Sequence, residues 1–155
     1  MKECETPKHA ENGEDMSEPV VVTEVRNRSL WIRLNRPDAM NSLTPEVLQA
    51  IDTALDQALE RADVMTVVLT GTGRAFCAGA DLKYVRGQLG ENGTSAFLAG
   101  VLHTMNRLDR FPKPVIASLN GITLAGGLEL VLCCDLVIAA KSAKIGDAHA
   151  NYGLL

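Results

Sequence analysis

The sequence predicts an α/β domain in which helices pack against a sheet. Runs of β-branched residues alternate along the chain with segments whose apolar residues recur at helical spacing. One of these segments begins with a strong helix-start signal at Thr44. The 155 residues are enough to bury a single core. Together these observations favour one α/β domain.

Two strands begin the predicted domain. Residues 20–26 and 29–34 are rich in β-branched and apolar residues, and only Asn27 and Arg28 separate them. This spacing predicts an antiparallel hairpin. Arg36 and Pro37 then interrupt the pattern and predict a loop that continues to Asn41.

The first predicted helix has both a start signal and an apolar face. Thr44 is suited to the N-cap, Pro45 to the first helical position and Glu46 to the first turn. Helical spacing then predicts one buried face, formed by Val47, Leu48, Ile51, Ala54, Leu55, Ala58 and Leu59.

The remaining elements alternate between strand and helix. Strands are predicted at residues 64–70, 115–118 and 136–140, and a helix at 126–134. Another amphipathic helix carries Phe97, Leu98, Val101, Leu102, Met105 and Leu108. The chain contains no evident sequence repeat.

The two ends of the chain differ from the middle. Residues 1–19 are polar and acidic, which predicts a disordered leader before a domain at 20–155. The chain ends on Leu154 and Leu155 without a polar tail. This ending predicts that the domain is incomplete at its C-terminus.

Composition argues against several functional classes. The net charge of −4, without a basic stripe, gives no support for a nucleic-acid partner. No apolar run approaches the roughly 20 residues of a membrane span. The four cysteines form no zinc-type C-x-x-C repeat, so no metal is expected. Unpaired cysteines are typical of a reducing compartment, and we expect a cytoplasmic location.

Glu129 is the most informative single residue. It is the only acid between Asp109 and Asp135, and its surroundings in the sequence are almost wholly apolar. Burial of an unpaired charge is costly, so such a residue calls for a functional reason. A solvated position on a surface helix is the ordinary alternative. Gly126 and Gly127 precede it and indicate backbone amides exposed at a helix start.

Two glycine-containing junctions together predict an oxyanion site. The first is the small-residue run at Ala78, Gly79 and Ala80, and the second is the segment that begins at Gly126. If the junctions face each other, one amide from each provides a donor for a developing oxyanion, with Glu129 nearby as an acid or base. Each loop alone is also common in ordinary α/β domains.

These residues match the motifs of a known family. Ala-Phe-Cys-Ala-Gly-Ala-Asp-Leu at 75–82 and Asn-Gly-x-x-x-x-Gly-Gly-x-Glu-Leu at 120–130 resemble the enoyl-CoA hydratase/isomerase (crotonase) superfamily. The Arg-Pro-x-x-x-Asn loop at 36–41 is similar as well. The resemblance covers roughly residues 20–155. It implies the N-terminal core portion of a crotonase-like ββα spiral fold.

The resemblance also implies roles for named residues. The amides of Ala78 and Gly126 would form the oxyanion hole for a thioester carbonyl, and Glu129 would be the first of two catalytic glutamates. Expected substrate-binding residues are Ala39, Met40, Ala78, Gly79, Ala80, Asp81 and Gly126. Lys83, Arg86 or Arg36 would meet CoA phosphates or remain solvated surface charges. The partner is an acyl-CoA thioester, and no separate cofactor is expected because coenzyme A is part of the substrate.

The chain departs from the family pattern at the second glutamate. His149 occupies that position, twenty residues after Glu129. It could replace the acid as a proton donor, bind substrate in a relative with different chemistry, or serve structure only. Asp147, two residues earlier, is a further option for the acid. Glu129 and His149 are therefore the predicted catalytic residues.

The expected activity is hydration of a 2-enoyl-CoA to a 3-hydroxyacyl-CoA. The alternatives are an isomerase, hydrolase or lyase of the same superfamily, or a non-catalytic CoA-binding relative. The resemblance implies a trimer-based homo-oligomer for a full-length form. The domain is predicted to be incomplete at its C-terminus, where the segments that build such trimers would lie, so this expectation applies to the full-length form and not to this chain.

Overall fold

The computed structural model describes residues 18–87 and 91–152. The predicted disordered leader, residues 1–19, lies outside the described residues except for its last two positions. Eight strands and four helices are present in the described part of the chain. The strands are β1 (Val21–Arg26), β2 (Ser29–Leu34), β3 (Thr66–Gly71), β4 (Ala75–Cys77), β5 (Val115–Leu119), β6 (Ile122–Leu124), β7 (Leu136–Ala139) and β8 (Ile145–Gly146). The helices are α1 (Pro45–Glu60), α2 (Leu82–Gly87), α3 (Glu91–Asp109) and α4 (Gly126–Leu132).

The strands form two sheets. The larger has the order β1-β2-β3-β5-β7, in which β1 and β2 form the predicted antiparallel hairpin and all other pairs are parallel. The smaller is parallel with the order β4-β6-β8. The α/β class predicted from sequence is confirmed, and the structure adds that the pairing is mostly parallel.

One structural unit recurs along the chain although no sequence repeat is evident. In each of the pairs β3/β4, β5/β6 and β7/β8, the first strand joins the larger sheet and the second joins the smaller. A helix or a 3₁₀ turn (α2, α4 or His149–Tyr152) follows each pair. The chain therefore spirals through three ββα turns, in agreement with the fold that the family resemblance implies.

Helix α1 covers the larger sheet and forms the core with it. Thr44 caps the helix through its side-chain oxygen, which accepts from the Val47 N–H, and Pro45 follows at the first position, as predicted. The predicted apolar face is buried except for Leu59, which lies in the last turn and is 44% exposed. Fully buried side chains that fill the core include Ile32, Leu34, Ile51, Leu55, Leu69 and Phe76.

Sequence patterns missed the short elements. Strands β4, β6 and β8 are only two or three residues long, which is too short to show a period of two. The apolar residues named on the second amphipathic helix, now α3, are not all buried. Phe97 and Leu108 are buried, but Leu98 and Leu102 are exposed. Leu98 instead faces a cavity described below.

Two asparagines hold the turn between β3 and β4. The Asn41 side-chain amide donates to the carbonyls of Thr72 and Ala75, at 3.0 and 2.8 Å. Asn120 accepts from the Gly71 N–H at 3.0 Å and donates to the same Ala75 carbonyl at 3.1 Å. These bonds satisfy backbone groups that the turn would otherwise leave unpaired. They also connect both motif loops to the start of the smaller sheet.

Helix α4 packs against β4 with almost no space between their backbones. A Cβ atom on Gly127 would lie 2.1 Å from the carbonyl oxygen of Cys77. No side chain fits at that distance, so glycine is required here by close approach. This contact places the start of α4 directly beside the loop that follows β4.

We expect Gly127→Ala to destabilise the protein by about 3 kcal/mol or more, because the added methyl group overlaps backbone rather than a movable side chain. Urea denaturation followed by circular dichroism measures the change.

Gly100→Ala is the matched control. Its Cβ would lie 3.7 Å from a Leu48 methyl group, an ordinary contact, within a helix where alanine is favoured. It should leave the stability unchanged or raise it. A Gly127→Ala protein as stable as the control would contradict the packing described above.

Candidate active site

The candidate site lies at one edge of the smaller sheet. Strands β4, β6 and β8 are parallel, so their carboxyl ends meet at the same edge, a position where α/β proteins often bind ligands. Residues 78–81, 125–129 and 147–149 follow these three strands directly. Segments far apart in sequence, each with a residue singled out above, therefore converge.

A cavity of about 400 Å³ opens at this edge. Its volume lies within the usual range for small-molecule sites, and most of its wall is apolar. Helices α2 and α3 supply the apolar wall, and the three loops supply backbone groups, a carboxylate and an imidazole. The lining residues are Leu43, Ala78, Ala80, Leu82, Val85, Thr94, Phe97, Leu98, Val101, Ala125, Gly126, Glu129 and His149.

The two glycine-containing junctions are in contact, as the oxyanion hypothesis requires. A Cβ on Gly79 would lie 3.1 Å from the Gly126 nitrogen and 3.0 Å from the Ala125 Cβ. Gly79 also has a φ of +96°, a conformation that favours glycine. The small residues of the first junction therefore permit the second junction to approach.

The start of α4 has a strained backbone. Ala125, the residue before the helix, has φ +48° and ψ −124°, although it carries a Cβ. Backbone strain of this kind is commonly found at functional sites. Gly126 follows as the first helical residue, so its N–H has no acceptor within the helix. Gly126 also lines the cavity, which makes its N–H a donor suited to a ligand oxygen.

The other predicted oxyanion donor is already engaged. The Ala78 N–H donates to the Met40 carbonyl at 3.1 Å. Met40 and Asn41 both have positive φ values, +50° and +55°, which turn this carbonyl toward the junction. The loop that carries Ala39 and Met40 thus lies against the first junction. A thioester oxygen would have to share this N–H with Met40 or displace its carbonyl.

Glu129 reaches the site, but the premise that it is a buried charge is wrong. Its side chain is 48% exposed. Leu130 and Val131 point into the core from the other face of α4, which explains the apolar sequence context. Glu129 lies beside the cavity, where its Oε2 is 3.6 Å from the position of a Cβ on Gly126. The carboxylate is therefore close to the candidate oxyanion donor and open to solvent.

His149 faces Glu129 across the mouth of the cavity. Its Nε2 lies 3.9 Å from Glu129 Oε1, and its side chain is 34% exposed. The other ring nitrogen, Nδ1, lies 2.5 Å from Asp147 Oδ1, which also accepts the His149 backbone N–H at 3.0 Å. These bonds, first from the backbone N–H and then from the ring, hold the pKa of the Asp147 carboxyl below its usual value. Asp147 itself points to the far side of the ring from Glu129.

Asp81 and Arg36 are bound to each other. Arg36 donates to Asp81 Oδ2 at 2.9 Å and to the Ser42 carbonyl at 2.7 Å. Asp81 Oδ1 accepts the backbone N–H groups of Lys83 and Tyr84 and so caps α2. Arg36 was one of three candidates to meet CoA phosphates, and in the structure its guanidinium instead forms an internal ion pair with Asp81. This pair attaches the Met40 loop to the helix that forms one wall of the cavity.

Partial burial by itself would raise the pKa of the Asp81 carboxyl. The hydrogen bonds from Arg36, Tyr84 and Ser42 outweigh that effect and lower the pKa below its usual value. Asp81 therefore remains ionised at neutral pH, with its side chain 13% exposed.

Cys77 precedes the first junction but has no nucleophilic character. Complete burial raises the pKa of its thiol to about 12, despite a hydrogen bond from the Gly79 N–H. It serves as a small core residue. Within residues 18–87 and 91–152, no three or more His, Cys, Asp or Glu side chains come together in a group that could bind a metal ion.

Sequence reasoning missed the apolar wall of the cavity. Leu82 and Val85 on α2 and Leu98 and Val101 on α3 line it. Their signal was present in the sequence as apolar residues at helical spacing. Periodicity alone assigns such residues to the core, because it cannot separate a core-facing stripe from one that faces a ligand. None of the helices in the described parts of the chain is both long and apolar enough for a membrane crossing.

We expect Asp81→Asn to lower the free energy of unfolding by about 1–2 kcal/mol at pH 7, since the substitution removes a charge-assisted hydrogen bond. Because the folded-state pKa of Asp81 is depressed, its contribution is present above the unfolded-state value of about 3.9 and is lost as the pH falls through the folded value. The difference between wild type and variant should therefore shrink at acid pH. Denaturation at several pH values measures this trend.

Asp38→Asn, at an exposed position in the same region, is the control and should leave the free energy of unfolding at pH 7 nearly unchanged. A constant difference between Asp81→Asn and wild type from pH 7 to pH 3 would contradict the role of the ion pair.

Comparison with known proteins agrees with the geometry. The model of the family described as enoyl-CoA hydratase/isomerase matches residues 24–155. A Bacillus subtilis protein provisionally named as an enoyl-CoA hydratase/isomerase is 41% identical over 141 residues, which cover 90% of this chain and 54% of that protein. The chain thus spans about half the length of the curated relatives it matches.

Solved structures show the same relationship. An enoyl-CoA hydratase from Bacillus anthracis superposes with a TM-score of 0.82 at 38% identity, over 88% of this chain and 53% of that one. An enoyl-CoA hydratase from Mycobacterium smegmatis gives a TM-score of 0.84 at 36% identity, over 88% and 54%. The matching family model, the relatives and the three-turn ββα fold lead to one conclusion: this chain belongs to the enoyl-CoA hydratase/isomerase family.

Proposed function

We propose that this chain carries the catalytic core of an enzyme that adds water to a 2-enoyl-CoA to give a 3-hydroxyacyl-CoA. The main support is the pair formed by Glu129 and His149. Their side chains face each other at 3.9 Å, beside the Gly126 N–H and at the mouth of an apolar cavity. Membership of the family makes the thioester substrate the natural occupant.

The thioester carbonyl binds at the contact between the two junctions. Its oxygen accepts from the Gly126 N–H and, once the Met40 carbonyl gives way, from the Ala78 N–H. Both donors are backbone groups; the Gly126 N–H, at the start of α4, is free of any acceptor within the helix, whereas the Ala78 N–H has to exchange its Met40 acceptor for the substrate oxygen. Loss of one such donor costs about 2.7–4 kcal/mol of transition-state stabilisation in other enzymes. This polarisation favours attack at the β-carbon of the enoyl group.

Glu129 and His149 bind the attacking water and carry out the two proton transfers. Two atoms 3.9 Å apart can share one water that lies to one side and is about 2.8 Å from each. One side chain accepts a proton from the water as the hydroxyl adds to the β-carbon, and the other supplies a proton to the α-carbon. Atoms balance, since the elements of water are added across the double bond. His149 thereby takes the place of the second carboxylate.

The acyl group occupies the cavity. Its wall of Leu82, Val85, Phe97, Leu98 and Val101 is apolar and suits a hydrocarbon chain rather than a charged one. Coenzyme A enters as part of the substrate, so we propose no separate cofactor. A cytoplasmic location and a homo-oligomer of the full-length form stay predictions.

A non-catalytic acyl-CoA-binding protein is the second candidate. The observation in its favour is the hydrogen bond between the Ala78 N–H and Met40, which occupies one of the two oxyanion donors. This candidate predicts acyl-CoA binding without turnover.

We expect Glu129→Gln and His149→Gln each to lower kcat for hydration of crotonyl-CoA by about 100-fold or more, because each removes a proton-transfer group. The double variant should be scarcely slower than either single one, since two groups that act as a unit are not additive. Loss of the enoyl thioester absorbance measures the rate.

His103→Gln and Glu60→Gln are the matched controls. Both are exposed on other helices, away from the cavity, and should retain wild-type rates. A His149→Gln enzyme with the wild-type rate would make His149 structural. Tight crotonyl-CoA binding without any turnover in the wild type would favour the second candidate instead.

A further inference from the structure

We infer that Asp147 is a positioning residue, which holds the His149 imidazole as the Nδ1–H tautomer and directs Nε2 toward Glu129 and the cavity. The inference rests on the proposed function, because it explains how histidine can work at a position expected to carry a glutamate. The two residues are separated by a single alanine at the end of β8.

Hydrogen-bond chemistry determines the tautomer. Asp147 Oδ1 lies 2.5 Å from Nδ1, and an ionised carboxylate can only accept hydrogen bonds. Nδ1 must therefore carry the proton in this contact. The remaining nitrogen, Nε2, is then the site of proton exchange: a lone pair when the ring is neutral, and an N–H when it is charged. The lowered pKa of Asp147 agrees with its ionised state.

Geometry places Nε2 on the reactive side. The carboxylates within 4.0 Å of the two ring nitrogens, among the described residues, are Asp147 on Nδ1 and Glu129 on Nε2. They lie at opposite nitrogens, so Asp147 does not compete with Glu129 for the same proton. Asp147 thus orients the His149 ring, and Glu129 and His149 Nε2 are left to exchange protons. Carboxylate–histidine pairs divide these roles in the same way in other sites.

A purely local role for Asp147 is the alternative to exclude. Asp147 Oδ1 also accepts the His149 backbone N–H at 3.0 Å and so caps the 3₁₀ turn His149–Tyr152. A cap requires only that backbone bond, whereas positioning requires the ring bond as well. Serine caps about as well as aspartate, but its shorter side chain does not extend to the ring. Asparagine can retain both bonds through its carbonyl oxygen.

The test compares Asp147→Ser with Asp147→Asn, and Asp63→Ser is the matched control. Asp63 is an exposed carboxylate that also pairs with a cationic side chain two residues away, Arg61, far from the cavity. Nitrogen-15 chemical shifts of labelled histidine report the tautomer at alkaline pH in the unliganded protein, and His149→Gln identifies the relevant signal. Crotonyl-CoA hydration gives kcat and KM.

We expect the wild type and Asp147→Asn to hold mainly the Nδ1–H form of His149, and Asp147→Ser to shift to the Nε2–H form. The serine variant should lose about 10–100-fold in kcat, with KM and thermal midpoint unchanged, as is typical when a supporting residue is removed. Asp147→Asn should restore most of the rate. Asp63→Ser should change nothing.

Two results would overturn the inference: the same tautomer in Asp147→Ser as in the wild type, or a shifted tautomer with an unchanged kcat. Failure of the proposed function is distinct, because it appears as a wild type that does not hydrate crotonyl-CoA. If the wild type does not hydrate crotonyl-CoA, the tautomer of His149 can still be measured in the unliganded protein. A shift in Asp147→Ser would then still show that Asp147 positions the ring.

Discussion

The contact of Gly127 with the Cys77 carbonyl, where a Cβ would come within 2.1 Å of the oxygen, is the constraint on which the rest of the site depends. It brings the start of α4 against β4 and the Gly79 loop against Gly126. A larger side chain would push the helix away and move Glu129 with it. The candidate oxyanion donor and the candidate acid are therefore positioned by one backbone contact rather than by their own side-chain interactions.

The ββα repetition brings the other loops of the candidate site next to this contact. Because β4, β6 and β8 are parallel neighbours, each turn of the spiral delivers its following loop to the same edge. The first loop supplies Ala78, the second Gly126 and Glu129, and the third Asp147 and His149. The ion pair of Arg36 with Asp81 adds the Met40 loop to this assembly. An apolar cavity with a polar mouth is the result.

Sequence reasoning succeeded where the pattern was local. Hairpin β1–β2, the Thr44 cap and the strand–helix–strand unit around Glu129 all follow from short-range spacing. It failed for β4, β6 and β8, whose two or three residues show no period, and for the apolar wall on α2 and α3. The inferred burial of Glu129 was wrong because Leu130 and Val131 point into the core from the other face of the helix, while Leu132 is itself exposed.

The sequence by itself determined the residue types at the site and their family: Glu129, His149, the small residues of the two junctions, and the α/β class. These are properties of local spacing and motif. Only the tertiary structure decided that Nε2 of His149 faces Glu129, that Asp147 binds the opposite ring nitrogen, and that Met40 occupies the Ala78 amide. Such contacts depend on how separate strands pair and on which way backbone groups point, and neither is encoded in the spacing of any one segment.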